Sequence, residues 1–153
     1  MPLYLVQQGL ALQKDIDSER GLSEDGIADV RRIAETAKHY NVQVSQIFHS
    51  GKKRAKQTAD IIAEALTPFN AVDQLDGINP NDEVSIIASK FKQQENMMLV
   101  GHLPFMERLV AYLIIGTVEP PLIKFQNGGI VCLDQDQENK IWFIKWTVMP
   151  KIG

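Results

Sequence analysis

Apolar residues along this chain come in short blocks, separated by stretches whose hydrophobic positions recur at helical spacing. Residues 3–6 form a continuous apolar run, the pattern of a strand covered on both faces. Residues 7–22 are polar and predict a loop. Ser23 then predicts an N-cap, with Glu24 and Asp25 in the first turn, where a helix dipole favours negative charge. Ile27, Val30, Ile33, Ala34, Ala37 and Tyr40 mark the inward face of that helix. A second strand is expected at 44–49, followed by a helix over 52–66 that buries Ala55, Ala59, Ile62 and Leu66 and stops before Pro68.

A third helix is marked by Val84, Ile87, Ala88 and Phe91, with Asn81 or Asp82 as its cap. Residues 97–100 predict another buried strand. Pro104 suits the first turn of a fourth helix, whose apolar set is Leu109, Val110, Leu113 and Ile114. After a loop at 116–121, strands at 130–133 and 141–148 are joined by an exposed polar connection at 134–139. Alternating strands and helices followed by a strand pair predict an α/β sheet with helices on both faces, in one domain spanning 1–153.

Composition narrows the picture a little. With 153 residues the chain is long enough for a proper core, and a formal charge of −3 argues against broad binding to nucleic acid or to an anionic membrane. The single Cys132 lies in an apolar run, which fits a packing thiol in a reducing compartment. No apolar stretch reaches the roughly 20 residues of a membrane span. No charged start leads into an apolar core, so a cytoplasmic location is expected.

Ligands of open α/β sheets gather at the carboxyl ends of strands. Three predicted strand ends carry polar residues here: Gln7 and Gln8, His49 and Ser50, and His102. A shared pocket is the expectation. Ser50 and Gly51 lead into a helix, so backbone N–H groups and the positive dipole end can face an anion. Lys52, Lys53, Arg54 and Lys56 add cations, of which Arg54 offers a bidentate fork. Two readings stand for this run: an anion site, or a solvated basic helix face. His102 also has two, as a structural histidine bonding a carbonyl or as a hydrogen-bond donor beside a helix N-terminus. Adjacent strand residues point to opposite faces, so if Ser50 faces the pocket His49 does not.

Three segments together resemble the histidine phosphatase superfamily, most closely its SixA-type phosphohistidine phosphatases: Val6-Gln7-Gln8-Gly9, Ser50 with Arg54-Ala55 and Gln57-Thr58, and Gly101-His102-Leu103-Pro104. Arg20-Gly21-Leu22-Ser23 is similar to the family's Arg-Pro-Leu-Thr turn. The resemblance implies a three-layer α/β/α sandwich with a mostly parallel sheet. It implies metal-free and cofactor-free hydrolysis of phosphohistidine on a phosphocarrier protein. It assigns phosphoryl binding to Arg54 and transition-state stabilisation to His102, in a phosphate pocket with Gln7, Gln8, Gly9 and Ser50. In the family the first turn reads Arg-His-Gly, and its histidine is the nucleophile. Gln7 and Gln8 stand at those two positions here.

An amide nitrogen conjugated with its carbonyl is essentially non-nucleophilic, so Gln8 cannot form the family's intermediate. No general acid has a secure match, Asp76 being the nearest candidate. The expected function is therefore binding of a phosphorylated protein or a phosphate-like anion, with family-route catalysis lost or weak. The alternatives are a working phosphatase using His49, His102 or activated water, and a scaffold that engages a protein partner through its surface.

Overall fold

The computed structural model of the chain describes residues 2–91 and 96–152. In chain order the elements are β1 (Leu3–Gln7), α1 (Glu24–His39), β2 (Gln46–His49), α2 (Lys53–Leu66), β3 (Asp73–Gln74), α3 (Val84–Lys90), β4 (Met97–Gly101), α4 (Phe105–Ile115), β5 (Ile130–Gln135) and β6 (Trp142–Val148). The six strands form one sheet in the order β3-β2-β4-β1-β5-β6. From β3 to β1 every pairing is parallel, and β5 and β6 are added antiparallel at one side.

The apolar blocks of the sequence explain this order. All five residues of β4 are buried, as are the first four of β1, so both strands need neighbours and cover on each face. Tyr4, Val6, Ile47, Met98 and Val100 pack against the buried faces of α1 and α2. Leu3, Leu5, Met97 and Leu99 pack on the other face against α3 and α4. The result is the expected three-layer α/β/α arrangement with a mainly parallel sheet.

The most consequential feature is the position of β4. The chain runs from β1 through α1 to β2 without pairing the two strands, and β4 enters later between them. Gln7 lies beside Gly101, and His49 lies beside Val100. The carboxyl ends of β1, β4 and β2 therefore sit side by side.

Most elements follow the hydrophobic pattern, and the departures have local causes. Ser23 caps α1 by accepting the Gly26 N–H at 3.0 Å. Tyr40, expected on the inward face, ends α1 and is 75% exposed, because the chain turns away one residue beyond the helix. The cap of α3 is Glu83, which accepts the Ser85 N–H, rather than Asn81 or Asp82. Asp82 is instead used one turn earlier, accepting the Asn79 N–H at 2.8 Å. β2 starts at Gln46, Pro104 stands at the cap of α4 just before its first turn, and β5 extends to Gln135. The two-residue β3 has no hydrophobic signature, since both of its residues are exposed.

Gly26 joins the first loop to α1. A Cβ there would overlap the Leu10 carbonyl, the same carbonyl that accepts the Ser23 N–H at 2.9 Å. Alanine is favoured over glycine in helices by about 1 kcal/mol. Overpacking against a backbone that cannot retreat costs about 1–3 kcal/mol and wins here. Gly26→Ala is thus expected to lower the urea midpoint of unfolding, and an unchanged or higher midpoint would show that the loop gives way freely.

Candidate functional site

The end of β1 is held from both sides. The Gln8 N–H donates to the Gly101 carbonyl at 2.9 Å, continuing the β1–β4 ladder by one residue. The Gln8 carbonyl accepts from Asn127 Nδ2 at 3.1 Å and the Gly128 N–H at 3.2 Å. Gly128 adopts φ +83°, which glycine reaches without strain, and this turn delivers both donors. With its backbone clamped, Gln8 presents a side chain of defined direction. The Asn127-Gly128-Gly129 turn was not anticipated as part of the site; its only sequence signal is the Asn-Gly dipeptide.

His102 follows β4 and is 2% exposed. Its Nδ1 lies 3.1 Å from Gln8 Oε1, and its Nε2 lies 2.6 Å from Ser50 Oγ. An amide oxygen only accepts, so Nδ1 carries the proton and Nε2 accepts from the Ser50 hydroxyl. The charge state agrees. Burial, then the positive charges of Arg54 and Lys52, push the His102 pKa down to about 4, leaving the ring neutral near pH 7. Three expected residues from three strand ends thus form one hydrogen-bonded chain, Ser50–His102–Gln8.

Cations surround this chain. Burial and the nearby Arg20 both lower the pKa of Arg54. Arg20 sits at φ 53° and donates from Nε to the Leu12 carbonyl at 3.2 Å, which pins it in the first loop. Two guanidinium groups close enough to repel one another are thus held beside a neutral histidine. Among the described residues neither pairs with a carboxylate.

The lysines of the basic run divide differently. Lys53 pairs with Asp17 at 2.9 Å and Lys56 with Asp60 at 2.9 Å, both in the solvated manner of surface ion pairs. The Lys53–Asp17 contact also fastens the first loop to α2. Gln57 adds to this by accepting the Leu22 N–H at 2.7 Å. The motif residue Gln57 therefore helps tie the first loop, which carries Arg20, to α2.

The remaining expected residues fall as follows. Gly9 donates its N–H to the buried Thr58 Oγ1 at 2.9 Å, and Thr58 donates to the Arg54 carbonyl at 2.8 Å. The Gly9 amide is thus committed to α2. A Cβ on Gly9 would stand 2.8 Å from Val30 Cγ2, so glycine is needed for close packing. Gln7 ends β1 with its Oε1 buried and without a hydrogen-bond partner among the described residues. The Gly51 N–H, expected to face an anion, donates instead to His49 Nδ1 at 3.0 Å. The Lys53 and Arg54 amides, in the first turn of α2, have no carbonyl of their own helix four residues back.

His49 shares the sheet face of Ile47, towards α2, where Asp60 and Lys56 are its charged neighbours. Alternation along β2 separates it from the Ser50 side, as expected. Asp76 is exposed in the turn after β3. No described hydrogen bond brings it to the Ser50–His102–Gln8 chain.

Comparison with known proteins identifies the scaffold. The family model of the histidine phosphatase superfamily (branch 1) matches residues 6–82, which include Gln7, Gln8, Ser50 and Arg54. Phosphohistidine phosphatase SixA of Escherichia coli strain K12 is 25% identical, covering 98% of this chain and 94% of the relative. A structure of the protein histidine phosphatase SixA with tungstate has a TM-score of 0.85 at 24% identity, covering 98% of this chain and 97% of its own. A SixA-type structure from Agrobacterium tumefaciens has a TM-score of 0.77 at 26% identity, covering 97% of each chain. The chain belongs to the histidine phosphatase superfamily, branch 1, and is a SixA homologue along nearly its whole length.

Proposed function

We propose that this protein binds the phosphoryl group of a phosphorylated protein, such as a histidine phosphocarrier domain, in the pocket of Gln8, Ser50, Arg54 and His102. Hydrolysis through a phosphohistidine enzyme intermediate is lost or weak in this reading, because Gln8 stands at the nucleophile position. The observation that carries the proposal is that Arg54 and Arg20, within electrostatic reach of one another, have no carboxylate partner among the described residues. Like charges brought together are stabilised by an anion between them. The tungstate in the SixA structure supports the same reading, since that oxyanion resembles phosphate in charge and shape.

Each polar group has a part in such binding. Arg54 supplies a bidentate fork, and Arg20 a second cation from the first loop. His102, whose Nδ1–H is held by Gln8, becomes a donor at Nε2 when the ring takes up a proton in the complex. The helix start adds the open amides of Lys53 and Arg54. Gln7 supplies an amide where the family has a guanidinium, so a charge-assisted contact of about 1.5–3 kcal/mol is missing. Binding is correspondingly weaker than in a pocket with all its cations.

Titration calorimetry with tungstate tests the proposal directly. The wild type is expected to bind with one-to-one stoichiometry, and Arg54→Ala to lose roughly 10–100-fold in affinity, the equivalent of one charge-assisted contact. Absence of binding in the wild type would overturn the reading.

Binding should also take up protons. The free ring titrates at about 4, and an adjacent anion raises that value in the complex. The complex then holds more protons than the free protein between the two pKa values. Affinity therefore rises as pH falls through that window and levels off below about 4. Calorimetry in buffers of different ionisation enthalpy reads this uptake, and His102→Asn should remove it.

The nucleophile assignment is tested by restoring the turn. Gln7→Arg combined with Gln8→His is expected to gain an acid-labile phosphohistidine at position 8 on incubation with phosphoramidate. A restored protein that binds tungstate yet acquires no such adduct would show that more than the turn separates this pocket from a working one.

A further inference from the structure

Ser50 has a geometry that anion binding alone does not require. The residue is buried, 7% exposed, and its Oγ lies 2.6 Å from His102 Nε2. The opposite ring nitrogen is held by Gln8 Oε1 at 3.1 Å. A hydroxyl, a neutral imidazole with its lone pair on that hydroxyl, and a third group fixing the ring is the arrangement that activates serine nucleophiles on unrelated folds. The geometry points to Ser50 as a phosphoryl-accepting nucleophile, with His102 as its base and Gln8 as the residue that positions the ring. The inference rests on the binding reading, which brings the phosphoryl group to this pocket.

The alternative is that Ser50 merely satisfies a buried histidine. Two features favour a chemical role. The hydroxyl lies at the start of α2, where the Lys52 N–H approaches its oxygen at 3.4 Å and the helix dipole is positive. Arg54 and Lys52 add their field to the same point, as their effect on His102 shows. An oxygen gaining negative charge is stabilised in such a field. Gln8 also changes meaning: its amide is useless as a nucleophile, but its carbonyl oxygen holds the proton on Nδ1 and leaves Nε2 free to act as base.

The reaction balances with a phosphoramidate donor. Ser50 Oγ forms a bond to phosphorus as the P–N bond breaks. The hydroxyl proton passes to His102 Nε2, while the nitrogen, departing on the opposite side of phosphorus, leaves with the electron pair of the broken bond and takes a proton from solvent. The product is a phosphate ester on Ser50. Water releases it from the opposite side: its oxygen bonds to phosphorus and gives up a proton to solvent, the P–Oγ bond breaks, and Ser50 Oγ takes back the proton held on His102 Nε2. An imidazole of such low pKa in the free protein is a weak base, so turnover is slow. Bound phosphoryl charge raises that basicity when it is needed.

The test uses the full chain and phosphoramidate as the donor, with acid quenching and peptide mass mapping. The expected result is the mass gain of one phosphoryl group at Ser50, stable to acid and eliminated by base, as befits an ester. The modified residue is read in the wild type, so no variant has to fold for this result to count. Should the ester hydrolyse too fast to trap, phosphate release takes its place: release abolished in Ser50→Ala, with the far-ultraviolet circular dichroism of the wild type retained, supports the role.

Gln8→Leu is expected to slow labelling at least tenfold and to change its pH profile, because the ring's tautomer is no longer fixed. A purely structural Gln8 would leave that profile unmoved, which counts against its positioning role. An acid-labile adduct on a histidine, or phosphate release that persists in Ser50→Ala, overturns the inference. So does tungstate binding without label or release, and that outcome leaves the binding reading standing. Failure to bind tungstate at all removes both.

Discussion

The insertion of β4 between β1 and β2 is the constraint on which the site depends. Parallel pairing on both sides of one buried strand brings the ends of three strands together, in an order unrelated to their order in the sequence. His102, leaving the middle strand, is therefore flanked by Gln8 on one side and Ser50 on the other. Each ring nitrogen receives one partner. Had β1 and β2 paired directly, no single residue would lie between them.

Burial does the electrostatic work. The strand order places His102 where the apolar cover is nearly complete, and desolvation is the largest cause of its low pKa. A neutral ring tolerates two neighbouring cations that a protonated ring would repel. The surrounding protein sorts those cations by exposure. Lys53 and Lys56 find carboxylates in solvent, whereas Arg54 and Arg20, within electrostatic reach of one another, pair with none among the described residues. The first loop makes this possible, since the Lys53–Asp17 ion pair and the Gln57–Leu22 hydrogen bond fasten it over α2.

The turn that ends β1 is firmly organised. Gln8 is clamped by Gly101, Asn127 and Gly128 and hydrogen-bonded to His102. Under the proposed reading, glutamine at this position redirects the chemistry available rather than simply subtracting from it. A neutral amide at this point is a poor nucleophile and a good orienting group.

Much of the fold followed from local pattern alone. The apolar blocks at β1 and β4 and the helical periodicity of α1, α2 and α4 reflect burial, which a sequence records directly in residue type. Ser23 as a cap and His102, Arg54 and Ser50 as a shared cluster were likewise readable, because strand ends and helix starts concentrate polar chemistry. What local pattern does not carry is which strand lies beside which, and hence which atoms meet. The short β3, the Asn127-Gly128 clamp and the commitment of the Gly9 amide to Thr58 all rest on contacts between segments far apart in sequence. Gln8, Ser50 and His102 as candidates at three strand ends were legible in the sequence. Their roles were decided by tertiary structure, because a hydrogen bond is set by direction and distance, and only the packed sheet fixes those.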